Sequence, residues 1–91
     1  MSDPAQIKSM MDNLNARLRV VVSDWGREQF AQGLPFPDVQ AASISALIGE
    51  TGFVIASGPA HWHRHQIGVV NNTLEAMVRE HAVAFAREGK Q

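Results

Sequence analysis

Apolar residues recur with a helical period at both ends of this chain. Stepping about 100° per residue from Ile7 places Ile7, Met10, Met11, Leu14, Leu18, Val21, Val22 and Trp25 inside one arc of roughly 120°. Lys8, Asp12, Asn13, Asn15, Arg17, Arg19 and Ser23 fall outside it. This pattern predicts a long amphipathic helix over about 4–32. Its start is marked by Ser2 or Asp3 as cap, Pro4 at the first helical position and Gln6 where a capping box reaches back. Gly33 is the better terminator, although Gly26 offers an earlier stop. Phe30 lies off the stripe, which implies a bend near Gly26 or a second contact.

The middle of the chain reads differently. Each residue before a proline is pushed out of the helical region, so Leu34-Pro35-Phe36-Pro37 reads as an extended connection. A second helix is expected from Asp38 as N-cap to about Thr51. Ile44, Leu47 and Ile48 form its bulky stripe, and Ala41, Ala42, Ser45 and Ala46 form a small-residue face. A helix with no fully polar side is usually covered on both sides. That makes it the middle of a bundle or the seam of a dimer. Gly52 reads as the left-handed residue past its end, with Phe53 folding back on Ile48. Phe53-Val54-Ile55-Ala56-Ser57 fits a buried strand or a helical turn, and periodicity does not separate them. A lone strand has no partner within the chain, which favours a short helical or irregular segment. Gly58-Pro59 then marks a turn, with Ser57 a cap for the segment after it.

In the last segment Ile67, Val70, Leu74, Met77, Val78, His81, Ala82 and Phe85 share one face. The helix is expected over about 59–88, or over 66–88 if the chain breaks at the histidine-rich turn. The pattern implies an all-α fold, a small bundle of three to four helices in a single domain over 1–91. Its two long helices, at the chain ends, lie antiparallel with a shorter one between them. Aligning their stripes gives a register in which facing positions sum to about 92. Ile7 then meets Phe85, Leu14 meets Val78, Leu18 meets Leu74 and Trp25 meets Ile67.

Composition narrows the class. Ninety-one residues suggest one domain, which buries only roughly 60–65% of the surface of its unfolded chain and often gains more by pairing with a copy. The chain is 45% apolar and 19% charged, so it belongs with globular rather than disordered sequences. A net charge of −1 with scattered lysines and arginines supplies no concentrated positive face for nucleic acid. The absence of cysteine removes disulfides, thiolate nucleophiles and cysteine-ligated zinc. The opening residues lack the pattern of a signal peptide, and no apolar run approaches the ~20 residues that span a bilayer. A cytoplasmic protein without a membrane partner is the expectation.

Chemistry is hinted at in one place, His61-Trp62-His63-Arg64-His65. Neutral imidazole is a common ligand of divalent transition metals. On a helix His61 and His65 stand one turn apart; in an extended chain His61, His63 and His65 share a side. A structural zinc wants four ligands and a catalytic one three plus water. Completing a site would therefore draw on Asp24, Glu28, Glu50 or a second subunit. The same pattern fits a surface turn anchored by Trp62, with no cofactor bound. Asn71 and His81 fall on the apolar face of the last helix. Each reads as a partly buried polar group with its own hydrogen bonds, or as a switch or ligand-binding residue between helices. An Asn there can also fix register or oligomeric state. No nucleophile elbow, phosphate-binding loop, dinucleotide fingerprint or di-iron Glu-x-x-His pattern occurs. The sequence thus points away from catalysis. It suggests an interaction module, a homo-oligomer that binds an unknown protein partner. A metal- or small-ligand-binding protein using the His61–His65 turn is the alternative.

Overall fold

A computed structural model of the chain describes residues 3–89. It is all-α: three helices and no strand among the described residues, as expected for a small helical bundle. Helix α1 runs Pro4–Ala31, α2 runs Phe36–Ala56, a single 3-10 turn covers Ala60–Trp62, and α3 runs His63–Glu88. The chain divides into two compact units, Met1–Ile48 and Gly49–Gln91.

In the first unit, α1 begins as its sequence suggests. The Asp3 carboxylate accepts from the Gln6 backbone N–H at 2.8 Å, which satisfies one of the free donors of the first turn. Ser2, the other candidate cap, lies outside the described residues. The helix passes through Gly26 without stopping and ends at Gly33, whose φ of 86° suits glycine. Gly33 N–H donates to Phe30 O at 2.9 Å and Leu34 N–H to Gln29 O at 3.2 Å, the paired bonds of a Schellman ending. On the polar side Lys8 pairs with Asp12 at 2.7 Å, and Arg27 pairs with Asp24. The Asp12 carboxylate holds the Lys8 amine above its ordinary pKa, by hydrogen bond first and charge second. Both pairs are solvent-exposed and add little to stability.

Helix α2 starts two residues earlier than expected, and Asp38 is not its cap. Pro35 O accepts from Asp38 N–H at 3.1 Å and from Val39 N–H at 3.2 Å, so Phe36 and Pro37 already belong to the first turn. Pro37 is tolerated there because a first-turn N–H has no partner within the helix. Phe36, though it precedes a proline, turns helical and stacks on Phe30 with centroids 6.2 Å apart. That stack is the second contact implied by the position of Phe30 off the stripe. Asp38 instead places its negative charge in the first turn, where the helix dipole favours it. Among the described residues Val39, 6% exposed, is the buried apolar one, and the Ser43 hydroxyl donates to its carbonyl at 2.8 Å.

The far end of α2, in the second unit, also differs. Gly52 does not end the helix; Phe53 to Ala56 continue it. One interior glycine costs only about 1 kcal/mol relative to alanine, too little to stop a helix whose apolar residues resume at once. The true stop is Gly58-Pro59. Ser57 faces backwards, its hydroxyl donating to Val54 O at 2.6 Å, and Pro59 precedes the 3-10 turn without a side-chain cap. The segment read as strand or helix is thus helical. Helix α2 is also a continuous 21 residues, long and apolar enough to cross a membrane by length and composition. Gln40, Ser43, Ser45 and Glu50 interrupt its apolar runs, so run length in the sequence alone does not reveal this property.

Helix α3 begins inside the histidine-rich turn, between the two starts expected. It ends on Gly89, left-handed at φ 69°, whose N–H donates to Ala86 O at 3.2 Å. Arg87 lies in its last turn, where a cation complements the dipole.

Candidate functional site

The three histidines sit at the junction of the 3-10 turn and α3. His61 belongs to the turn; His63 and His65 belong to the first turn of α3. His63 is half-buried, and its Nε2 lies 3.0 Å from Gly58 O. That bond commits the donor nitrogen to a carbonyl at the end of α2 and ties the two helices across the turn. The His61 ring meets Trp62 edge-on, with centroids 5.8 Å apart. Trp62 is exposed, as are His61 and His65. Among the described residues no group of three or more His, Asp or Glu is placed so as to hold a metal ion. The geometry gives His63 a joining role in the turn and leaves His61 and His65 open to solvent.

Asn71 and His81 are both exposed, on the apolar face of α3. The His81 ring stacks on Phe85 one turn later, with centroids 6.4 Å apart. Their surroundings are therefore set by what covers that face. An open depression on the other side of α1, lined by Asp12, Asn15, Ala16, Arg19 and Val20, belongs to a single helix and encloses nothing.

The most distinctive surface is the apolar one. In α1 the stripe found in the sequence is uncovered: Met10 is 61% exposed, and Ile7, Met11, Leu14, Leu18 and Val21 are also exposed. In α3 Leu74 is 55% exposed, with Ile67, Met77, Val78 and Phe85 beside it. Ile44, Leu47, Ile48, Phe53 and Val54 of α2 are exposed too. Monomeric proteins rarely present contiguous apolar surface of more than a few hundred Å², and larger patches mark sites of association. Two glycines of α2, Gly49 and Gly52, open onto free space, so a side chain added at either would meet nothing within 4 Å.

No family model matches the chain, and neither the curated proteins nor the solved structures include a significant match.

Proposed function

We propose that this chain is a small cytoplasmic protein that works by protein–protein association. It pairs with a second copy of itself and, so assembled, serves as an adaptor or regulatory module for another protein. The observation that carries this reading is the exposure of both amphipathic stripes along almost their whole length. Burying one Leu, Ile or Met side chain gains about 1.5–3 kcal/mol, so stripes of five or six such residues are a strong drive to associate. Helices of this kind take most of their stability from packing rather than from propensity. A covered state is thus part of the fold itself.

Helix α2 is long enough for a bilayer, but Glu50 argues for a protein partner. It lies six residues inside the C-terminal end of the helix, within the span a bilayer would cover, where an ionised carboxylate is disfavoured, most strongly toward the centre. A seam between proteins lets Glu50 reach a wet rim.

Sedimentation of the untagged chain with and without liposomes tests this reading. The expected result is a compact dimer that ignores the liposomes. A stable helical monomer, or quantitative partition into the liposomes, would overturn it.

A further inference from the structure

We draw no further inference here: the strongest candidate, the exposed apolar face of α3 on which the His81 ring stacks against Phe85, carries nothing, because nothing in the structure shows what covers it.

Discussion

Three residues carry most of the local logic. Gly33 ends α1 because only a residue without a Cβ takes φ 86° without strain. Gly33→Ala should therefore lose about 1–2 kcal/mol. Gly26, in the interior of the same helix with open space where a Cβ would stand, should respond in the opposite sense. Gly26→Ala should gain about 0.5–1 kcal/mol. Urea unfolding followed by circular dichroism at one protein concentration measures both, and equal effects would show that the two glycines are not distinguished by backbone. The role of Gly33 was legible in the sequence, because it follows the last good helix former and precedes Leu34-Pro35. The role of His63 was not. Three histidines in alternation attract attention as ligands, and nothing in their spacing reveals that His63 Nε2 reaches Gly58 O, five residues back.

At the scale of elements, the amphipathic helices were the easy ones. A polar face and an apolar face repeat every turn, so α1 and α3 could be drawn from their stripes to within a few residues. Helix α2 was harder for a physical reason. It is apolar nearly all round, so periodicity defines no edge, and local punctuation had to serve instead. Pro37 and Gly52 looked like boundaries, yet a first-turn proline and an interior glycine are both tolerated. The stack of Phe36 on Phe30 depends on a side-chain meeting across the link, which no single-helix projection contains. Asn71 carries the prediction at this scale. It sits on the apolar face of α3 with no protein covering it in the single chain. If that face associates, a lone Asn on it weakens the association and restricts register. Asn71→Leu should tighten self-association at least tenfold and admit larger oligomers. Sedimentation velocity distinguishes this from an unchanged dimer, which would show that Asn71 lies outside the seam.

For the whole molecule, fold and function come to the same physical question: what covers the stripes. An all-helical fold was legible from composition and period alone, but which surface covers which was not. The stripes state only that each helix wants a partner. The most direct test is the dependence of the urea midpoint on protein concentration. If folding requires a second copy, each tenfold rise in concentration adds about 1.4 kcal/mol and moves the midpoint up by roughly 0.5 M. A midpoint that stays fixed across a hundredfold range of concentration would contradict the account, since the single chain would then be stable with its apolar faces bare.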